Sequence, residues 1–279
     1  MSTDATTTGG STGVPGVGTS TRSAVSRLRH QVGFDLLIFR RNPASTFFTV
    51  ILPLVFLVIF ISIFGNDELP NGAKVSTLYV PGILALAIIS ATATNLAITM
   101  TGRRERGILK RVRGTPIPPW VFVASQAVAG FVISVVMTVL ITLVGRVLYG
   151  VRLNASGIPS LIITVLVGAA AFAAIGLALT TVIPSEEAAP AVTNATMLPL
   201  YFISDVFIPD GEIPTWVQRV ADVFPVKHLS LALQESYDPF ADVAPWPWVN
   251  WLVMAAWGAL RMIRRPVDRP GQRPACRLC

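Results

Sequence analysis

Charge is scarce in this chain. Asp, Glu, Lys and Arg make up 13% of its 279 residues and hydrophobic residues 52%, whereas a soluble domain carries about 25% charge. So little polar surface cannot cover a water-soluble globule, and the apolar residues are bunched into long runs, which makes lipid the solvent for much of the chain. Cysteine is nearly absent: Cys276 and Cys279 form a lone CxxC, and one such pair cannot close a four-ligand zinc site. The two histidines, His30 and His228, belong to no HExxH, and no GxSxG occurs, which removes intramembrane metalloprotease and serine-hydrolase chemistry. There is no GxxxxGK[ST] phosphate loop, so if this protein does ATP-driven work another polypeptide must hold the nucleotide. The first 21 residues are rich in Ser, Thr and Gly without an apolar core. They predict no cleavable signal peptide and a disordered cytoplasmic tail over residues 1–21.

What is present is a series of spans. Residues 22–43 place Val25, Leu28, Val32, Leu36 and Phe39 at steps of three and four beside Arg22, Arg29, Arg40 and Arg41. This is a basic amphipathic helix that would lie on the membrane surface and end at Asn42-Pro43. A transmembrane region over residues 44–262 follows. Its first span, Thr46 to Phe64, reaches roughly 28 Å, enough to cross a hydrocarbon core. Further spans are expected over Leu78 to Met100, Val121 to Val144, Ile158 to Ile183 and Ala188 to Ile208, the fourth rich in Gly and Ala that allow close helix contact. Between Pro209 and Pro247 a long loop repeats apolar residues at helical spacing and should pack on the protein. The sixth run, Trp248 to Leu260, is short, and Arg261, Arg264 and Arg265 cut it off before a basic Pro/Arg-rich tail, residues 263–279. A tilted span, a re-entrant piece and a frame change that altered the end of the protein all fit this short run. The fold expected is an all-α polytopic membrane protein with six transmembrane helices, the sixth short or atypical.

The net charge of +7 is not a nucleic-acid footprint, because the cations cluster beside hydrophobic runs. With the N-terminus inside, 17 of the 22 Lys and Arg fall on inner segments and 5 on outer loops, which predicts a multi-pass inner-membrane protein with both termini cytoplasmic. Inside the expected spans Asp205 is the one ionisable residue, near an outer end. Ion-coupled carriers place a titratable group near the midplane, so the energy source is expected outside the bilayer. A carrier or channel without an ATPase partner remains the alternative.

The most informative stretch is Arg103 to Pro119, RRERGILKRVRGTPIPP. Its cations alone would serve as an inner-side anchor. Its pattern is that of a short helix between two spans, closed by Gly and Pro into a rigid knob. Glu105 to Pro116 resembles the cytoplasmic signature of ABC-2 type permeases, the membrane subunits of bacterial ABC exporters, with Ile108 and Val112 where the family usually has Thr and often Leu. A second stretch is similar to the family's outer segment: Phe207-Ile208-Pro209, Ile213-Pro214-Thr215-Trp216, Phe224-Pro225-Val226, His228-Leu229 and Leu233. It departs at Asp205, where the family commonly has Gly after the serine. The likeness covers roughly residues 25 to 260 and is nearest to the daunorubicin-resistance subgroup.

The resemblance implies an amphipathic connecting helix, a cytoplasmic coupling helix and an extracytoplasmic helical hairpin carrying Pro214, Trp216, Pro225 and His228. It implies a non-enzymatic permease that pairs with a second copy as a homodimer and sits in the bilayer on two cytosolic ABC ATPase subunits. This chain would bind no cofactor; ATP and Mg would belong to the ATPase. Contact with that motor would fall on Arg104, Glu105, Arg106, Gly107, Leu109, Lys110, Thr115 and Pro116. A path for an amphipathic or hydrophobic substrate, drug or lipid, would run past Asn95, Thr99, Asn194, Met197 and Tyr201. The last three share one helical face, although Asn and Thr in lipid equally often bond helix to helix.

Overall fold

A computed structural model describes residues 24–68, 72, 74–108, 119–204, 206, 214–238 and 246–263. Among the described residues the protein is built of helices. Helix α1 is Ala24–Arg41. The first span, α2, is Pro43–Phe64, followed by α3, Val75–Glu105, α4, Pro119–Tyr149, and α5, Gly157–Leu179. Then come α6, Ala188–Ile203, two short helices, α7, Thr215–Ala221, and α8, Pro225–Ser236, and finally α9, Trp248–Ile263.

Four of these, α2 to α5, are long and apolar enough to cross a membrane. Helices α6 and α9 have 16 residues each, about 24 Å at 1.5 Å per residue, short of a hydrocarbon core of about 30 Å. The fifth expected span therefore stops at Ile203 rather than Ile208; Asp205, Phe207, Ile208, Pro209 and Ile213 lie outside the described residues, as do residues 1–21 and 264–279. The apolar spacing in the long loop does form helices, α7 and α8, and Trp248 begins α9 where the last run was expected.

Chain punctuation sets these boundaries. Asn42 ends α1 because the residue before a proline is pushed out of the helical region. Its side chain then accepts a hydrogen bond from the Ser45 N–H at 3.2 Å, with Pro43 in the first turn of α2, so one dipeptide both stops α1 and caps α2. Gly65 and Gly150, at φ 77° and 71°, close α2 and α4 at positive φ, which glycine adopts without strain. Asn66 ties these two ends together, donating to the Tyr149 carbonyl at 3.0 Å and accepting from the Ser76 N–H at 3.3 Å.

Helix α3 is the axle of the bundle: 72% of its apolar window is buried, against 22% for α2 and 33% for α4. Midway it widens into a single π-turn, Ser90–Thr94, whose backbone meets a glycine from each of α4 and α5. Gly130 of α4 lies against the Ala91 carbonyl and Gly176 of α5 against Ala93, so glycine lets the backbones touch. The apolar residues left exposed on α2 and α4, among them Phe48, Val55, Ile63, Val136, Val139 and Val147, form outward faces suited to lipid. At the opposite pole from α1, Phe60, Phe64 and Tyr79 stack at 5.4 to 6.0 Å between α2 and α3.

Gly33 shows what an unconstrained glycine looks like here. It sits inside α1 with open space where a Cβ would stand. Gly33→Ala should stabilise α1 by up to about 1 kcal/mol, read as a higher unfolding midpoint.

Candidate functional site at the base of the third helix

Four consecutive charged residues close α3, Arg103 to Glu105 in its last turn and Arg106 just past it, and because successive helical residues are rotated by about 100° Arg103 turns toward α1 while the other three reach the segment between α5 and α6. Arg104 points at the end of α5. Its Nη1 donates to the Thr180 carbonyl at 2.7 Å and its Nη2 to the Ile183 carbonyl at 2.6 Å. These are carbonyls at and just past the C-terminus of α5, where orphan acceptors and the negative end of the helix dipole favour a cation. Removing that cation in Arg104→Ala should cost about 1 kcal/mol, measured as lower thermal stability that Arg104→Lys partly restores.

Glu105 and Arg106 hold the turn between α5 and α6 from the other side. A Glu105 carboxylate oxygen accepts the Glu186 N–H at 2.6 Å, in the turn that leads into α6 at Ala188. Arg106 forms a two-pronged ion pair with the Glu186 carboxylate, Nε to Oε2 at 3.0 Å and Nη2 to Oε1. Gly102, one turn back, leaves the space that this carboxylate occupies. Gly107 follows at φ 68° with nothing near it, so the chain leaves α3 through a left-handed turn that a β-carbon would strain. The base of α3 and the 180–187 turn are thus one clamped unit. Of the residues assigned to motor contact, Arg104, Glu105, Arg106 and Gly107 come together here; Leu109, Lys110, Thr115 and Pro116 lie outside the described residues.

Arg103 turns inward, and sequence reasoning missed its part. It is 8% exposed and pairs with Asp35 of α1, itself 4% exposed, at 2.7 Å. The other Asp35 oxygen accepts from the Ser125 hydroxyl of α4 at 2.7 Å, and the Arg103 guanidinium lies 4.7 Å from the centre of the Phe122 ring. One buried ion pair therefore fastens α1, α3 and α4 together. The signal for it was in the sequence. Asp35 sits seven residues after Leu28 and four before Phe39, on the apolar stripe of α1, and a lone acid on a buried stripe requires a cation.

The five substrate-path residues divide into two groups. Asn95 and Thr99 line a cavity of ≈ 30 Å³ with Asp35, Asn42, Arg103 and Gln126. That is room for about one water rather than a drug-sized molecule. Met197 and Tyr201 are buried on α6, with the Tyr201 hydroxyl bonded to Ser90 of α3. Asn194 shares their helix but is exposed. The shared face expected of 194, 197 and 201 is packed only toward its C-terminal end: Asn194, about 20° of rotation from Tyr201 but two turns earlier in α6, is exposed.

The hairpin landmarks form a second cluster. Pro214 precedes α7 in an extended conformation, Pro225 opens α8, and Trp216 is exposed. His228 is buried between the Asp222 carbonyl and Asn250 of α9, while Trp257 of α9 donates to the Val223 carbonyl at 2.8 Å and stacks on Phe224. Among the described residues no group of His, Cys, Asp and Glu could hold a metal ion.

Residues 32–237 match the family model described as ABC-2 type transporter. A daunorubicin resistance ABC transporter permease protein of Streptomyces coeruleorubidus is 25% identical over 224 residues, covering 76% of this chain and 75% of its own length. The transport permease YvfS of Bacillus subtilis is 22% identical over 223 residues, covering 80% and 89%. The match takes in α1 from its third turn, the four spans, the clamp at the base of α3 and the α7–α8 hairpin.

Proposed function

Since the chain belongs to the ABC-2 type transporter family, we propose that it is the permease subunit of an exporter that moves amphipathic drugs or lipids out across the cytoplasmic membrane. A separate ATPase, two copies bound to a permease homodimer, supplies the force and holds ATP and Mg. Both termini lie in the cytoplasm, and residues 105–116 receive the motor's push.

The observation that carries this reading is the clamp of Arg104, Glu105 and Arg106 on the turn between α5 and α6. A lever must be stiffly joined to what it moves. A push on the linker after Arg106 reaches α3 directly, and through Glu186 it reaches α5 and α6 in the same stroke. Asn194 and Thr196 are exposed on α6 between Leu198 and Ala191. Polar groups on a lipid-facing surface are costly, which supports a second permease copy or a shared substrate path covering this face.

The test is Glu105→Ala in the reconstituted complex with its ATPase. Permease and ATPase should still co-purify and basal hydrolysis should persist, while stimulation by substrate disappears. Wild-type stimulation in this variant would remove the coupling role. Failure to find any co-purifying ATPase with the wild-type chain would remove the exporter reading itself.

A further inference from the structure

One nitrogen of the ion pair that fastens α1, α3 and α4 has no partner in the protein, and Arg103 lines a cavity. Its Nη2 donates to Asp35 at 2.7 Å, whereas Nη1 is buried and meets no acceptor. Asp35 is already engaged, its Oδ1 by Nη2 and by Gln31 Nε2 at 3.4 Å, its Oδ2 by the Ser125 hydroxyl at 2.7 Å. The Phe122 ring covers one side of the guanidinium. A guanidinium can only donate, and a charged donor stranded in the interior loses its hydration without replacement.

Other groups with unused hydrogen-bonding capacity line the same cavity of ≈ 30 Å³. Gln126 of α4 is 6% exposed, and no hydrogen bond joins its amide to another described residue. The Asn95 Oδ1 lies 3.5 Å from the Thr99 hydroxyl, the far limit of a hydrogen bond. Asn95, Thr99 and Arg103 follow one another at steps of four, so α3 presents all three on one face. Ala129 and Ile133 of α4 supply apolar wall.

Size and charge together select the ligand. The volume admits about one water and excludes a lipid headgroup or a drug. Arg103 and Asp35 stand on the same wall and neutralise each other, so the cavity offers no net charge to an ion. The ligand must accept from Nη1 and also satisfy amides that both donate and accept, which water does. We infer that this cavity is a binding site for one structural water, which accepts from Arg103 Nη1 and is fixed by the Gln126 amide, with Asn95 and Thr99 completing its shell. Two of the five expected substrate-path residues thereby take a different role, hydrating the ion pair between three helices. The site lies deep: Ile133 stands about 21 Å along α4 from Pro119 at 1.5 Å per residue, where hydrocarbon keeps bulk water out. Asn42, at the bend between α1 and α2, lines the cavity and is exposed, which gives the water its route of exchange.

The site belongs to the packing of this chain and needs no ATPase or substrate, so its failure and the failure of the exporter reading are separate outcomes. The full-length chain in nanodiscs is struck with millisecond X-ray pulses, which split water where it lies into hydroxyl radicals that oxidise the side chains in contact. Ile133 and Ile141, both on α4, are 6% and 0% exposed and share one intrinsic reactivity, and of the two Ile133 alone lines the cavity. In the wild-type chain Ile133 should be oxidised and Ile141 left untouched. Gln126→Leu and Thr99→Val each remove a polar partner of the water at nearly constant volume, and the Ile133 signal should fall toward the Ile141 level in one or both. Thr99→Val leaves Arg103 and Gln126 in place, so it remains a test if Gln126→Leu does not fold. A wild-type Ile133 no more oxidised than Ile141 would overturn the proposal. So would Ile133 oxidation at the wild-type level in every variant that folds, the result expected of a crevice open to bulk water.

Discussion

Replacing Asp35 with Ala should destabilise the protein by about 3–5 kcal/mol, because it strands the Arg103 guanidinium as an uncompensated buried charge. The environment offers Arg103 little else. Its Nη1 has no hydrogen-bond partner in the protein, and what remains beside the guanidinium is the face of Phe122 and the water-sized cavity it shares with Asn95, Thr99 and Gln126. Asp35→Asn keeps the shape and the Ser125 contact but not the charge, so it should fall between wild type and Asp35→Ala. The double replacement Asp35→Leu, Arg103→Met removes both charges together and should recover most of the lost stability, since two apolar groups of similar volume often substitute for a buried ion pair with little change. Reversible unfolding in mixed micelles of wild type, Asp35→Leu, Arg103→Met and the double variant gives the four corners of this cycle. Equal losses for Asp35→Ala and the double variant would mean that the pair is not the source of the cost. In the complex with the ATPase, the double variant separates fastening from stability. If α1 must move with α3 and α4, it should be stable yet poorly coupled.

The stop at Asn42-Pro43 and the end of the first span at Phe64 were legible because they depend on local chemistry, and α1, α7 and α8 followed from apolar residues recurring at helical spacing. The third span was expected to end at Val144, whereas α4 runs on to Tyr149 and turns at Gly150. The basic stretch at the base of α3 stood out in the sequence, and Arg104, Glu105 and Arg106 all reach the 180–187 turn. Its partner did not, because Glu186 lies 80 residues away in the chain and no local pattern says that a turn between two later helices closes on it. Asp35 and Arg103 were readable separately, an acid on an apolar stripe and the first of a run of cations, but their pairing needed the packing of α1 against α3. The substrate path fared differently. A helical wheel for α6 grouped Asn194 with Met197 and Tyr201, and only the position of α3 decides how much of that face is packed. The end of α6 at Ile203 was missed although Ser204 and Asp205 interrupt the apolar run there, whereas the shortness of the last run was legible from Trp248 to Leu260.

The second large effect lies where α3 and α5 touch. A β-carbon at Gly176 would stand 2.6 Å from the Ala93 carbonyl oxygen and 2.8 Å from the Ala93 Cα. Both are backbone atoms, so no rotamer change can relieve the contact and one helix must move. Gly176→Ala should cost about 1–3 kcal/mol, and Gly176→Val more, as expected for overpacking a filled interior. Ala93 belongs to the π-turn Ser90–Thr94, whose opposite side is held by Gly130 of α4 through the Ala91 carbonyl. The wide turn has an extra residue that must be accommodated, and the two glycines supply the room on either side. Forcing α5 outward at Gly176 would therefore shift the middle of α3 toward α4, between the clamp at its base and the aromatic stack of Phe60, Phe64 and Tyr79 at its other end. If the π-turn is a compliant joint in an otherwise stiff axle, Gly176→Ala should impair substrate-stimulated ATP hydrolysis more than its loss of stability explains, and Gly130→Ala, with its looser 3.0 Å approach, should do so less. Equal stability losses at the two glycines with unchanged stimulation would show that the joint serves packing alone.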